Sequence, residues 1–302
     1  LMGYAGQISL GQAGFFAIGG YTSAFLTTVN LRPQAGTPLV QALARMGLAV
    51  ERKDLYGNSL LSFAPWLALA AAVVLTILVA LIIGWPVIRL TGHYLAMATL
   101  GFGLIVFRLV LGTRFLGEAD GISGVPPLPL FFFNVTGALK HRIENYYLAW
   151  ALVFLGMLLA INLVNSRVGR ALRSIHGGEE AANAMGVNTD RYKLATFVMS
   201  AVFAGAAGVF LTHYKGGIGP SEAASMKSVR YVAIVALGGM DNLWGALAMG
   251  TLLNFLSLRG YFGSFDDAFF AATLIAVMLF FPEGLLKPKL GFIRRSRAGE
   301  GP

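Results

Sequence analysis

Four long apolar segments constrain the fold of this chain more than any other feature of its sequence. Each runs for about 20 residues, the length that an α-helix needs to cross the hydrocarbon of a bilayer. Because backbone polar groups must be satisfied inside the lipid, such segments predict membrane-spanning helices. The segments are 64–84, 94–112, 147–164 and 194–213, and a shorter apolar segment follows at 268–282.

The composition is typical of a protein that faces lipid over much of its surface. Hydrophobic residues make up 56% of the 302 residues and charged residues only 12%, whereas about a quarter of the residues in soluble domains are charged. The net charge is +9, but basic residues of membrane proteins gather in cytoplasmic loops and meet anionic lipid there. Since no nucleic-acid-reading motif accompanies this charge, we predict membrane lipid and no nucleic acid as partners. The absence of cysteine excludes thiol catalysis and cysteine-bound metals.

Two further apolar segments, 8–29 and 229–258, are interrupted by glycine and polar residues in the sequences GQISLG and GGMDNLWG. Broken helices survive in a membrane only where protein or water satisfies the freed backbone groups. We therefore predict an all-α polytopic membrane protein, a bundle of about seven or eight membrane helices in which these segments are broken or re-entrant. Such a pair is also typical of an inverted repeat that lines a transport pathway, which is one interpretation of the two halves.

The distribution of basic residues predicts the orientation of the chain. Arginines are concentrated in the loop 165–193, and lysines and arginines follow Pro282, so the positive-inside rule places both regions in the cytoplasm. An even number of crossings must then separate them. The spans 194–213 and 268–282 supply two crossings, provided that 229–258 enters and leaves the membrane from the outer side.

The same reasoning divides the chain into a membrane domain and a tail. We predict one transmembrane domain over residues 1–290 and a basic cytoplasmic tail over 291–302. Segments 32–63 and 113–146 are expected outside, with a short inner turn at 89–93. The sequence starts inside its opening motif, so we expect that a preceding span is missing from it.

A short helix is predicted within the basic inner loop. Residues 179–185 read EEAANAM, a run of strong helix formers that begins with the acidic residues favoured at a helix N-terminus. Gly186 and Asn188 stand where such a helix ends. A short capped helix on a cytoplasmic loop is typical of an element that docks on another protein, and the alternative is a surface helix with no special role. The candidate docking residues are Glu179, Glu180, Ala181, Ala182 and Gly186.

The two interrupted segments supply candidates for a substrate pathway. Glycines let helices approach closely, neutral amides and hydroxyls can hydrogen-bond a zwitterion, and helix N-termini at breaks favour a carboxylate. The alternative for any one of these residues is small-residue packing between subunits. The candidate pathway residues are Gln7, Ser9, Gln12, Gly238, Gly239, Asp241 and Asn242.

Ionisable residues are scarce within the four long segments. We interpret Arg108 as a side chain that reaches the membrane interface along its apolar stem, and His93 and His213 as interfacial residues at the ends of spans. Proton-driven transporters carry acidic residues or histidines inside the membrane, so their scarcity indicates that energy is supplied by a partner. The chain has no G-x-x-x-x-G-K-[ST] phosphate loop, and we expect it to bind no cofactor and no metal.

Several motifs together resemble those of the branched-chain amino-acid ABC transporter permease family. Glu180, Ala181, Ala182 and Gly186 match the E-A-A-x-x-x-G coupling motif of bacterial ABC-importer permeases, whose short helix sits in a groove of the ATPase subunit. The order of the remaining motifs is similar to that of the second-permease type in the family. Those motifs are GYAGQISLGQAGFFAIGGYTSA (3–24), GHYLAMATLGFG (92–103), ADGISGVP (119–126), SVRYVAIVALGGMDNLWGALAMG (228–250) and PEGLL (282–286).

The resemblance implies a non-enzymatic subunit of an ATP-driven importer of leucine, isoleucine, valine or related hydrophobic amino acids in the bacterial cytoplasmic membrane. It implies three kinds of protein partner: a second permease, two ATPase subunits, and a periplasmic or lipoprotein solute-binding protein. ATP and Mg²⁺ would bind on the ATPase subunits. Related permeases carry urea or short-chain amides, which is one alternative, and a stand-alone secondary transporter or channel is another. Two features depart from the family pattern: the missing first span and the long insertion 32–63.

Overall fold

A computed structural model describes residues 2–34, 47–53, 59–90, 92–130 and 133–259, together with the single residues 37, 41, 268, 272 and 275. The predicted span 268–282, apart from three single residues, and the predicted tail 291–302 lie outside the described residues. The chain forms two compact units, one made of residues 5–228 and one in which residues 2–4 join the chain from residue 229 onward.

The described residues form ten α-helices and three short two-stranded antiparallel sheets. The helices are α1 (Met2–Ala5), α2 (Gln12–Thr28), α3 (Pro65–Val87), α4 (His93–Gly112), α5 (Arg142–Asn165), α6 (Arg167–Gly177), α7 (Glu179–Ala184), α8 (Thr189–Lys215), α9 (Ser225–Gly238) and α10 (Leu243–Leu258). The strands are β1 (Ala49–Lys53), β2 (Ser59–Phe63), β3 (Ile122–Ser123), β4 (Leu128–Leu130), β5 (Phe133–Val135) and β6 (Gly217–Ile218), paired β1–β2, β3–β6 and β4–β5.

The four predicted long spans are confirmed as helices. Within the described residues, four helical stretches are long and apolar enough to cross a membrane: Pro65–Val87, His93–Gly112, Leu139–Asn165 and Thr189–Lys215. The third starts several residues before the predicted position. The Asn145 side chain donates hydrogen bonds to the carbonyl oxygens of Thr136 (2.7 Å) and His141 (2.9 Å), which ties a polar first turn to the preceding loop. Hydrophobicity alone does not detect such a turn.

Helix α2 lies at the centre of the first unit, packed against α3, α4 and α8. Phe15 of α2 is fully buried between Phe102 (ring centroids 4.7 Å apart) and Phe197 (5.5 Å). Where α2 crosses α8, glycines bring the two backbones into direct contact. A Cβ added at Gly208 would lie 2.0 Å from the carbonyl oxygen of Phe16, and one at Gly19 would lie 2.3 Å from that of Gly205. The glycines of the opening segment therefore serve close helix packing.

The two interrupted segments behave differently. The predicted break in 229–258 is confirmed, because α9 ends at Gly238 and α10 begins at Leu243, with Gly239 in the left-handed region at φ 96°. A Cβ at Gly245 would lie 2.0 Å from the carbonyl oxygen of Gly238, so the two helices touch at the break. The opening segment is irregular before Gln12 and then continues as one unbroken helix to Thr28.

The short sheets are an addition to the all-α architecture predicted from the sequence. Strand β3 pairs with β6 over Ile122↔Ile218 and Ser123↔Gly217, so the loop before α5 meets the end of α8. His213 lies at the same end of the unit, and the prediction that it is interfacial is wrong. Its ring is 1% exposed and bridges the hydroxyl of Ser23 (2.7 Å) and the carbonyl oxygen of Pro126 (2.6 Å). A buried imidazole is stable here because both ring nitrogens have a partner.

The opposite end of the first unit carries the basic loop and the turn between α3 and α4. Leu90 of the turn and Ile175 of α6 line one cavity there. The turn is tight because Gly92 adopts φ 58°, a conformation that favours glycine. The prediction that the turn 89–93 and the loop 165–193 share one side of the molecule is thus consistent with the fold.

Candidate functional site

The short helix predicted in the basic loop is present as α7, Glu179–Ala184, between Gly178 and a turn at Met185–Gly186. Its buried residue is Ala182, which joins an apolar cluster with Ala5, Leu172 and Ile175. This cluster seats α7 on α6 and on the opening segment of the chain. One small apolar side chain therefore packs α7 against the rest of the first unit, which keeps it close to the neighbouring backbone.

Polar contacts hold α7 from its other side. The ammonium group of Lys193, in the first turns of α8, forms an ion pair with Glu179 Oε1. The hydroxyl of Thr189 lies 3.0 Å from Asn183 Oδ1 and 3.4 Å from Glu179 Oε1. Lys193 is 4% exposed, and a buried ammonium requires such a partner. These contacts join α7 directly to the start of the long helix α8.

The remaining surface of α7 faces outward. Glu180 and Ala181 are exposed, and the following Met185 is 85% exposed. Of the two predicted acidic docking residues, only Glu180 is turned away from the chain, because Glu179 is paired internally. Met185 was not among the residues predicted from the sequence. Its position as the last variable residue of the E-A-A-x-x-x-G motif was the available signal, since methionine is favoured at adaptable binding surfaces.

The end of α7 and the start of α8 follow local backbone rules. Gly186 adopts φ 83°, as predicted for a residue that ends a helix. A side chain at this position would strain the backbone, although no atom of the described residues would contact its Cβ. Asn188 begins the next helix instead of ending this one: its side chain accepts a hydrogen bond from the backbone N–H of Arg191 (3.1 Å). Asparagine is a strong N-cap, so this role is the ordinary one.

Helix α6 presents a basic surface beside α7. Its apolar face, Leu172 and Ile175, is buried, and Arg167, Arg170 and Arg173 are exposed. The spacing places the three arginines on one stripe of the helix. The basic loop therefore displays α7 next to a row of positive charge.

The predicted pathway residues of the opening segment lie in the first unit. Gln7 and Ser9 are 4% and 5% exposed. The Ser9 hydroxyl accepts a hydrogen bond from the backbone N–H of Gly11 (3.4 Å), and Gln12 Nε2 donates to the hydroxyl of Ser200 (3.3 Å). Ser9 and Gln12 thus serve local structure, whereas the Oε1 atom of Gln7 is buried and accepts no hydrogen bond from any residue that the structure describes.

The other four predicted pathway residues lie in the second unit, at the break between α9 and α10. Asp241 is exposed, and its carbonyl oxygen accepts a hydrogen bond from the hydroxyl of Tyr4 (2.8 Å). The carbonyl oxygen of Asn242 accepts from the N–H of Ala246 (3.0 Å), the first hydrogen bond of α10. Gly238 and Gly239 allow the tight approach and reversed backbone described above. This arrangement accounts for the break and leaves any role in transport untested.

Sequence reasoning missed an ion cluster around the buried carboxylate of Glu222, in the loop after α8. Glu222 is 7% exposed and receives hydrogen bonds from Lys215 (3.0 Å) and Lys227. Burial raises the pKa of the Glu222 carboxyl, but the two lysine hydrogen bonds outweigh burial and hold that pKa below its ordinary value of 4.5. The residues come from the end of one helix, a loop and the start of the next helix, so no local sequence motif predicts the cluster.

Two other observations concern metal binding and the charged residue of α4. Among the residues that the structure describes, no group of three or more His, Asp or Glu side chains is placed to hold a metal ion. Arg108 is exposed on α4 beside Leu104 and Leu109, which agrees with a side chain that extends along an apolar surface.

The sequence of this apolar bundle, with its short helix on a basic loop, is similar to those of known proteins. A family described as "Branched-chain amino acid transport system / permease component" matches residues 1–280. The chain belongs to this permease family. It is a multi-pass membrane subunit of the ABC-transporter class, and its relatives are transport subunits rather than enzymes.

Individual relatives agree with the family match. The high-affinity branched-chain amino acid transport system permease proteins LivM of Salmonella typhimurium and of Escherichia coli K12 are each 30% identical to this chain, over 99% of this chain and 69% of the relative. The permease protein LivH of Escherichia coli K12 is 30% identical over 73% of this chain and 75% of its own length. The resemblance to the second-permease type is thereby confirmed. No solved structure matches the chain.

Proposed function

We propose that this permease is one of two membrane subunits of an ATP-driven importer of branched-chain and related hydrophobic amino acids. The family membership and the names of its relatives support this substrate class. The observation that carries the mechanism is the displayed helix α7. It is anchored to α8 through Glu179 and Lys193, and its outer surface is exposed.

The anchoring of α7 supports a role as the coupling helix. A helix of six residues has no stable fold of its own, so its shape depends on the bundle beneath it. Glu180, Ala181 and Met185 offer a partner a charge, a surface without bulk and a flexible apolar anchor. Closure of an ATPase against this surface would push on Glu179 and so on the start of α8.

The partners follow from this role. The chain contributes the gate, a second permease completes the pathway, two ATPase subunits bind ATP and Mg²⁺, and a solute-binding protein delivers the amino acid. In this scheme the loop 165–193 and the C-terminus are cytoplasmic, and the exposed arginines of α6 face anionic lipid or an acidic ATPase surface. The permease itself holds no cofactor.

The proposed topology has about seven or eight membrane helices. Helices α9 and α10 contain 14 and 16 residues, fewer than the about 20 needed to cross the hydrocarbon. This supports a broken segment in which each helix crosses only part of the membrane. In the proposed topology, 229–258 enters and leaves from the outer side. The predicted pathway residues Gly238, Gly239, Asp241 and Asn242 would then face a cavity.

Uptake of labelled leucine in a strain that lacks its own importer tests the proposal. The permease is expressed with the ATPase, second-permease and binding-protein genes of its own organism. We expect saturable uptake that is competed by isoleucine and valine. Competition by urea instead of these amino acids would assign the urea or amide alternative. Uptake by the purified chain alone, driven by an ion gradient, would contradict the importer proposal.

A variant pair tests the coupling role in the same assay. Ala181→Arg places a long charged side chain on the exposed surface of α7, where it disturbs no internal contact, so we expect normal folding with loss of ATPase co-purification and uptake. Ala138→Arg is the matched control, because Ala138 is exposed at the opposite end of the first unit. Equal uptake by the two variants would contradict a docking role for α7.

A further inference from the structure

A polar cavity lies beneath α7 at the end of the first unit that carries the basic loop. Its volume is about 250 Å³, below the about 300 Å³ at which drug-sized ligand pockets begin, so it suits a small molecule. Its walls come from the opening segment, the turn between α3 and α4, helix α6 and the anchor of α7. The cavity thus touches both the opening segment and the coupling element.

Four polar side chains line the cavity, those of Gln7, His176, Glu179 and Lys193, and two of them are buried with unused hydrogen-bonding capacity. Gln7 is 4% exposed, and its buried Oε1 accepts no hydrogen bond from the described residues. Lys193 is equally buried, and within the described part of the chain its ammonium is paired with Glu179 alone. An ammonium carries three donors, so these two lining residues hold unused N–H donors and an unused acceptor. Such groups are costly to bury unless something completes them.

A free amino acid supplies what these groups lack. Its carboxylate accepts from the unused Lys193 donors, and its ammonium group donates to Gln7 Oε1 with the Glu179 carboxylate nearby. The other walls include the apolar side chains of Leu90, Leu95 and Ile175, which suit an aliphatic side chain. An anion such as chloride or sulfate has no donor for Gln7, and a simple cation would meet the charge of Lys193.

We propose that this cavity is a second amino-acid site, filled from the cytosol by the imported aliphatic amino acid. This inference rests on the proposed function and adds regulation to it. A bound amino acid joins Gln7 of the opening segment to the Lys193–Glu179 pair that anchors α7. It therefore holds the coupling helix in its resting position, and import slows as the internal amino acid accumulates.

Binding of labelled leucine to the purified permease, together with the subunits that co-purify with it and without binding protein, tests the site. We expect leucine to bind, and leucinamide and 4-methylpentanoate, which lack the carboxylate and the ammonium group respectively, to compete about tenfold or more weakly. Loss of a hydrogen bond to a charged group corresponds to about tenfold to a hundredfold in Kd. Gln7→Leu and Lys193→Met should each weaken leucine binding by this factor.

Controls separate this site from a general loss of structure and from the proposed function. Lys140→Met changes an exposed lysine outside the cavity and should leave leucine binding unchanged. Uptake from outside is measured on the same wild-type preparation, first with empty and then with leucine-loaded vesicles. We expect loading to slow uptake in the wild type and less so in Gln7→Leu.

Three results would overturn the inference while the importer stands. One is normal uptake without leucine binding by the wild-type complex, which would mean that water alone fills the cavity. Another is equal competition by 4-methylpentanoate, which would remove the role of Gln7. The third is leucine binding that survives both Gln7→Leu and Lys193→Met, which would place the leucine elsewhere.

Discussion

Replacing Gly208 by alanine tests the packing of α2 against α8, on which the first unit depends. The new Cβ would lie 2.0 Å from the backbone carbonyl oxygen of Phe16, whereas ordinary contacts begin at about 3.4 Å. Backbone cannot swing aside as a long side chain can, so the two helices must separate by more than about 1 Å. Overpacking of this kind costs about 1–3 kcal/mol, and sometimes more.

Gly156 of α5 is the matched control for this substitution. It is also a helical glycine, but a Cβ there meets nothing within 4 Å among the described atoms. Gly156→Ala should therefore stabilise the helix by about 0.5–1 kcal/mol, because alanine restricts the unfolded backbone and favours helix. The two chemically identical substitutions are thus expected to act in opposite directions.

Thermal unfolding of the purified complex measures both effects. With about 2–4 °C per kcal/mol, the value for chains of about 150–250 residues, Gly208→Ala should lower the Tm by about 2–12 °C, and Gly156→Ala should raise it by about 1–4 °C. A Gly208→Ala variant as stable as Gly156→Ala would refute direct backbone contact between α2 and α8. The same result would remove the packing explanation for the glycines of the opening segment.

Two further predictions concern buried polar groups outside the coupling helix. The pKa of Glu222 is lowered in the folded state, so its ion cluster contributes full stability above the ordinary pKa of 4.5 and loses that contribution as pH falls through the lower folded-state value. Glu222→Gln should therefore reduce the fall of Tm at acidic pH. An unchanged fall of Tm would contradict the cluster. His213→Leu leaves the Ser23 hydroxyl and the Pro126 carbonyl without their partner, so it should cost about 1–3 kcal/mol per group, whereas the exposed His93→Leu should have little effect on Tm.

The long spans and the broken helix could be predicted from the sequence because each depends on local chemistry. Apolar length determines whether a segment can cross lipid, and the glycines around 238–245 mark the place where backbone conformation changes. The short helix α7 was predictable for the same reason, since its helix formers, acidic start and terminal glycine lie within eight residues. The resemblance to the family motifs then suggested that this short helix docks on an ATPase.

The remaining features depend on residues that are distant along the chain. Glu179 pairs with Lys193, fourteen positions later, so its internal role was hidden and both acidic residues were assigned to docking. Strand β3 pairs with β6 across almost a hundred residues, and His213 is buried by contacts from two distant segments. Sequence pattern specifies such contacts only after the topology is known.

Cysteine labelling at Met185 tests the central claim most directly. The chain has no cysteine of its own, so Met185→Cys and Leu139→Cys each introduce a single thiol at a position that is 85% exposed. The account predicts that a membrane-impermeant maleimide labels Met185→Cys only from the cytosolic side, with protection when the ATPase subunits are bound, and labels Leu139→Cys only from outside. Labelling of Met185→Cys from outside, or labelling that the ATPase does not reduce, would contradict it.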